Sequence, residues 1–217
     1  MKKNIAIQLG FWASVIGAIG GGVYIIIWIS IFVNGGPPTP FAQLVIGILA
    51  VISAPVNVIL FTAIRFANEG DKKVLGSIGI SFITLYAIVL SATRFIHLTM
   101  IQQSLPDVPA DLKQFYVYNP SGSVAAAMEM LAIGLFRSLA SVFVAPLFLS
   151  TRLNKTIRWL FILYAILSFT SFICYLLAIP ILYVLSFLIG MIAWGPIAFV
   201  IVILLSVYFR KLGKQVT

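Results

Sequence analysis

Four ionisable side chains lie inside long apolar stretches of the chain: Arg94, His97, Glu129 and Arg137. A charge in hydrocarbon is costly, so such residues usually face the interior of a helix bundle and mark a functional site. A guanidinium group binds carboxylates and phosphates through paired hydrogen bonds, and a histidine changes its charge near neutral pH. Together with the amide of Asn57, these residue types predict an intramembrane pocket for a small anionic or polar ligand.

The spacing of the first three residues places them close together. Arg94 and His97 are three residues apart, so they share one face of a helix. Glu129 lies near the start of the next apolar stretch, and helices joined by one loop are usually neighbours. We therefore predict an Arg94–Glu129 ion pair, which neutralises two charges that are each costly alone. Two alternatives stay open: the pair is only an interhelical clamp, and His97 only hydrogen-bonds a neighbour.

Arg137 is predicted to lie apart from that pair, roughly 12 Å deeper and about 80° around a regular helix from Glu129. One carboxylate cannot serve both arginines, so Arg137 needs other partners. The candidates are Asn57, Ser138, Tyr175, carbonyls freed near Pro55 or Pro196, and water. An arginine at mid-membrane without a carboxylate is typical of an anion site. The alternative is that carbonyls and water satisfy it without any ligand.

The composition is that of a membrane protein. Hydrophobic residues make up 62% of the 217 and charged residues 9%, whereas soluble domains average roughly 45–50% and about 25%. The surplus of apolar side chains has to face lipid. The formal charge of +9 is spread over the termini and loops, which does not favour a nucleic-acid partner. With one cysteine, Cys174, and one histidine, neither a disulfide within the chain nor a bound metal or cofactor is expected.

Six apolar stretches are long enough to span a bilayer, which needs roughly 20 residues each. The sequence thus predicts an all-α, polytopic membrane protein that forms a single domain over residues 1–217. A long outer loop is expected at 103–122. The predicted helices cover about 5–33, 41–66, 74–102, 123–149, 157–178 and 181–209.

The basic residues alternate between the two sides of this predicted bundle. They are numerous at both termini and in the second and fourth loops, whereas the first and fifth loops have none and the third has only Lys113. Because cytoplasmic loops are rich in Lys and Arg, both termini are predicted to be cytoplasmic and the protein to lie in the inner, cytoplasmic membrane. The basic residues on that side are Lys2, Lys3, Arg65, Lys72, Lys73, Arg152, Lys155, Arg158, Arg210, Lys211 and Lys214.

Catalytic motifs are missing from the sequence. It has no Gly-x-Ser-x-Gly, no Walker loop and no His-Glu-x-x-His. A His97/Glu129 acid–base pair is conceivable, but no nucleophile motif accompanies it. Glu129 is also the only carboxylate in an apolar stretch, so it has no acidic partner with which to bind a metal. An enzyme is therefore not the function we expect.

Three short motifs carry a resemblance: Thr93-Arg94-Phe95, Met128-Glu129-Met130-Leu131 and Ile157-Arg158-Trp159. In this layout the chain resembles a family of six-helix bacterial integral membrane proteins of unassigned function. The resemblance implies six helices in a cytoplasmic membrane and carries no activity. Vitamin-binding subunits of energy-coupling transporters share the size and topology, but their binding motifs are not present.

Two functional hypotheses follow from these patterns. In the first, the chain binds or transports a small anionic or polar ligand through Arg94, His97, Glu129, Arg137 and Asn57. In the second, it is a structural or regulatory membrane subunit whose buried charges are interhelical clamps. In that case the closely spaced glycines of the first helix would contact a partner helix or a second copy of the chain.

Overall fold

The described chain is all-helical and contains six helices long and apolar enough to cross a membrane. The structure, a computed structural model, describes residues 3–35, 39–68, 72–101, 123–177 and 179–216. Within these ranges no strand is present. The predicted all-α class and the predicted count of six candidate spanning helices are confirmed. The predicted outer loop at 103–122 lies outside the described residues.

Three of the six helices contain a π-helical segment, in which hydrogen bonds run from residue i to i+5. In chain order the helices are α1 (Lys3–Asn34), α2 (Pro40–Ala67), α3 (Lys73–Ile96, continued as a π-helix over His97–Ile101), α4 (Val124–Leu147), α5 (Arg152–Leu176) and α6 (Pro180–Gln215). In α4 the π-helical segment is Met130–Arg137, and in α6 it is Ala193–Ile197.

Two helix boundaries differ from the predicted ones. α5 begins at Arg152 instead of near 157, because the hydroxyl of Thr151 accepts a hydrogen bond from the backbone N–H of Asn154 and caps the helix. α6 continues to Gln215 instead of ending near 209. Hydropathy alone places a boundary where charges begin, but Lys and Arg are good helix formers and extend these helices beyond their apolar part.

The six helices form a closed ring in chain order. Each helix packs against the next one, and α1 packs against α6 to close the ring. Glycines permit the closest approaches. A Cβ atom built on Gly17 or Gly21 of α1 would lie 3.4 Å from Val202 or 3.2 Å from Phe199, both on α6. These two glycines therefore contact α6 of the same chain, whereas the second hypothesis requires them to contact a partner.

Large apolar side chains cover the outside of the ring. Each helix has at least one that is half exposed or more, as expected for a surface whose solvent is lipid. By contrast, the buried hydroxyls of Ser14, Thr93 and Ser138 donate to carbonyls one turn earlier in their own helices. Representative outward side chains are Ile26, Phe41, Ile88, Val142, Ile166 and Val184.

Gly134 sets the distance between α4 and α5 and so provides a test of the packing. A Cβ atom there would lie 2.7 Å from the Cβ of Phe172 and 3.3 Å from the carbonyl oxygen of Ser168. We expect Gly134→Ala to force the helices apart and cost about 1–3 kcal/mol. The measurement is the thermal unfolding midpoint of the purified protein in lipid nanodiscs.

Gly20→Ala is the matched control, since its nearest neighbour, Leu49, would lie 3.8 Å from the new Cβ. This variant should keep or slightly raise the midpoint, because alanine favours a helix by up to about 1 kcal/mol over glycine. Equal midpoints for the two variants would contradict the close approach of α4 and α5.

Candidate functional site

A cavity of about 730 Å³ lies inside the ring and is lined by α1, α2, α3, α4 and α6. Its volume is within the range of roughly 300–1,000 Å³ that is typical of small-molecule sites. All five residues predicted for the site line this cavity. They are Asn57, Arg94, His97, Glu129 and Arg137.

The predicted ion pair between Arg94 and Glu129 is present. The Nε of Arg94 contacts Oε1 of Glu129, and the two side chains are 15% and 7% exposed. His97, on the same face as Arg94, is buried where α3 changes from α-helical to π-helical. Because the carboxylate of Glu129 compensates the charge of Arg94, this part of the wall is nearly neutral.

Arg137 is surrounded by neutral groups from three other helices. Its Nη2 lies 3.5 Å from Oδ1 of Asn57 on α2, which is a long hydrogen bond. The guanidinium carbon lies 5.5 Å from the ring centre of Tyr86 on α3 and 4.9 Å from that of Tyr164 on α5. Both distances are within the range of cation–π attraction. The only acidic residue in the described part of the chain is Glu129, which pairs with Arg94.

Asn57 is oriented by its own helix. Its amide nitrogen donates to the carbonyl oxygen of Ser53 at 2.7 Å, which turns the amide oxygen towards Arg137. Pro55 lies inside the same turn and, lacking an N–H, removes one backbone hydrogen bond there. A second, small void of about 10 Å³ touches Asn57, Arg137, Ser141 and Tyr164. This volume is about that of one water-sized probe.

The π-helical segment of α4 changes the predicted relation of Arg137 to Glu129. The expected offset of about 80° applies to a regular α-helix. The π-helical segment Met130–Arg137 has a wider turn, which reduces the rotation per residue. Both residues line the cavity, where Glu129 contacts Arg94 and Arg137 contacts Asn57.

Two predicted partners of Arg137 contact other groups. Ser138 donates to the carbonyl oxygen of Gly134, and the ring of Tyr175 packs on Tyr183. In their place the structure has Tyr86 and Tyr164, which the sequence analysis missed. Aromatic residues make up 13% of the chain, so a tyrosine near a charge carries no distinguishing signal before the packing is known.

The π-helical segment of α6 holds another part of the wall. Trp194 and Gly195 line the cavity, and the indole N–H of Trp194 donates to the hydroxyl of Ser168 on α5 at 3.1 Å. π-helical segments occur frequently at functional sites because they re-aim side chains within a continuous helix. All three π-helical segments in the described residues contribute side chains to this cavity.

The described residues contain no group of three or more His, Cys, Asp or Glu side chains placed to hold a metal ion. The site offers two guanidinium groups, one imidazole, one carboxylate and several hydroxyl and amide groups. This set binds anions and polar groups by hydrogen bonding.

No family model, no curated protein and no solved structure matches the chain. Its function is inferred from the geometry of the cavity.

The ion pair predicts a large coupling between its two members. Arg94→Gln or Glu129→Gln leaves one buried charge uncompensated, and each should cost about 3–5 kcal/mol of stability. The double variant removes both charges and should be less destabilised than the sum of the two, with a coupling of about 0.5–3 kcal/mol. The measurement is the thermal unfolding midpoint of all three variants.

Lys155→Gln, an exposed charge at the start of α5, is the control and should leave the midpoint unchanged. Additive effects of the two single substitutions would show that the contact contributes nothing to stability.

Proposed function

We propose that this chain is an integral membrane protein that binds or transports a small anionic or polar ligand in the cavity between its helices. The observation that carries the proposal is Arg137, a cation on the cavity wall whose described partners are all neutral. A guanidinium group has five N–H donors, of which Asn57 engages one at a long distance and Tyr164 another. The remaining donors suit the oxygens of a carboxylate or a phosphate.

Each residue of the wall has a role in this proposal. Arg137 binds the anionic group, and Asn57, fixed by Ser53, holds the guanidinium from one side. Glu129 positions Arg94, a second guanidinium group, and compensates most of its charge. His97 tunes the site, because protonation of its ring adds a positive charge beside that pair.

The proposal places the chain in the cytoplasmic membrane with both termini in the cytoplasm. Basic residues occur at the start of α1, between α2 and α3, at the start of α5 and at the end of α6. If successive helices alternate in direction, all four positions lie on one side of the bilayer. The excess of Lys and Arg on that side supports a cytoplasmic location for it.

This topology is tested by labelling single cysteines in intact cells. In a Cys174→Ser background, Thr39→Cys between α1 and α2 should react with a membrane-impermeant maleimide added outside. Lys72→Cys, between α2 and α3, should react only after the membrane is permeabilised. The reverse pattern would invert the proposed orientation.

Ligand binding is tested by thermal stability in nanodiscs with a panel of small carboxylates and phosphates. A ligand present at about 100 times its dissociation constant adds about 2.7 kcal/mol of stability. We expect at least one anion to raise the unfolding midpoint of the unmodified protein and to leave that of Arg137→Gln unchanged. For each protein, the midpoint with the anion is compared with the midpoint without it.

Arg210→Gln, an exposed arginine at the end of α6, is the matched control and should respond as the unmodified protein does. The proposal would be overturned if an anion still raised the midpoint of Arg137→Gln. It would also be overturned if no anion raised the midpoint of the unmodified protein and Arg137→Gln were only less stable. The second result would favour a structural subunit in which the charges are clamps.

A further inference from the structure

The cavity wall has two chemically distinct parts. The charged groups lie on α3 and α4, next to Asn57 of α2. The wall formed by α1, the rest of α2 and α6 is mostly aliphatic and aromatic, with Ile16, Leu49, Ile52, Phe187 and Phe199 among its members. A small hydrated anion would occupy only the charged part. The apolar wall would then have no partner atoms and would lose its dispersion contacts.

The apolar part of the cavity reaches the outer surface of the bundle between α1 and α2. Ile16 and Ile19 of α1 and Ile52 of α2 line the cavity, yet they are 47%, 65% and 49% exposed. Side chains that line a cavity and also lie on the outside of the ring mark its opening. At this seam α1 presents Gly20, where an added Cβ would lie in ordinary van der Waals contact with Leu49, 3.8 Å away. In a membrane, this opening faces the lipid tails.

The volume admits a long apolar chain as well as a head group. Even at about 30 Å³ per water-sized atom, the share of a molecule in liquid water, 730 Å³ has room for at least roughly 24 non-hydrogen atoms. That is enough for an anionic head group with one long chain.

We propose that the ligand is an anionic amphiphile with a long apolar chain, which enters sideways from the bilayer between α1 and α2. Its carboxylate or phosphate binds Arg137, and its alkyl or isoprenoid chain lies along the apolar wall towards Gly20. This inference rests on the proposed function and names its substrate class and route of entry. The alkyl or isoprenoid chain of such a ligand is already dissolved in the bilayer, so it needs no water-filled path. An opening lined by isoleucines therefore suits its entry.

The tryptophans of the chain provide a direct reporter of the bound tail. Trp28 and Trp194 line the cavity, whereas Trp12 and Trp159 are 61% and 66% exposed on the outside. In a Trp12→Phe, Trp159→Phe background the fluorescence comes from the cavity alone. The probe is dodecyl phosphate with a brominated chain, added to protein in nanodiscs of a zwitterionic phospholipid. Bromine quenches indole fluorescence on contact.

We expect saturable quenching that unbrominated dodecyl phosphate reverses and inorganic phosphate does not. Arg137→Gln should weaken the binding at least about tenfold, because a charge-assisted hydrogen bond is lost. Brominated dodecanol has the same chain without the charge. It should bind to the unmodified protein as weakly as brominated dodecyl phosphate binds to Arg137→Gln.

The route is tested by variants of the seam. Gly20→Phe fills the gap from α1, and Ile52→Phe narrows it from α2 in case the first variant does not fold. Either should slow the onset of quenching several-fold. Ile26→Phe, on the outer face of α1 and 68% exposed, should not. An unchanged onset in both seam variants would overturn lateral entry.

The outcomes separate this inference from the proposed function. If inorganic phosphate competes as well as dodecyl phosphate and the brominated chain does not quench, the amphiphile is wrong and the anion site stands. Equal quenching by brominated dodecanol, retained in Arg137→Gln, would show an apolar pocket and overturn the anion site. No quenching, together with no stabilisation by small anions, would overturn both.

Discussion

The fold depends on accommodating the charge of Arg137 within an apolar ring of helices. A guanidinium group keeps its proton under all ordinary conditions, so it cannot become neutral when it is buried. The charge therefore has to be met by neighbouring dipoles and ring faces. Asn57 comes from α2, Tyr86 from α3 and Tyr164 from α5. To meet this one cation on α4, the contacting side chains of three other helices have to lie at the same level as Arg137.

The π-helical segments are the means by which this register is reached. In hydrocarbon the backbone has to keep its hydrogen bonds, so a side chain cannot be re-aimed by opening a loop. A π-helical segment changes the phase of a helix while its N–H and C=O groups stay paired. The segment in α4 carries Arg137, and the segment in α6 carries Trp194, which donates to Ser168; both residues line the cavity. Gly134 then lets that part of α4 lie directly on α5.

The sequence allowed some of this to be predicted, for physical reasons that differ between residues. Hydropathy fixes six spans because the bilayer sets a minimum length. The Arg94–Glu129 pair was predictable because Glu129 is the one carboxylate in an apolar stretch and its helix follows that of Arg94. The tyrosines around Arg137 were not, because an aromatic side chain in a membrane helix has many equivalent roles. The π-helical segment of α4 was not predictable, because nothing in the residues Met130–Arg137 distinguishes a π-helical from an α-helical segment.

A ligand site, the role proposed for the charges, would also account for the size of the cavity. Protein interiors are close-packed, and an open space of this size forfeits dispersion contacts on every side. The chain packs closely away from the cavity, where Gly134 admits α5. A bundle held only by an Arg94–Glu129 clamp would gain by closing around it in the same way. Instead the ring stays open beside Arg137, between a charged wall and an apolar one, which is the shape that a ligand with a charged head and an apolar body completes.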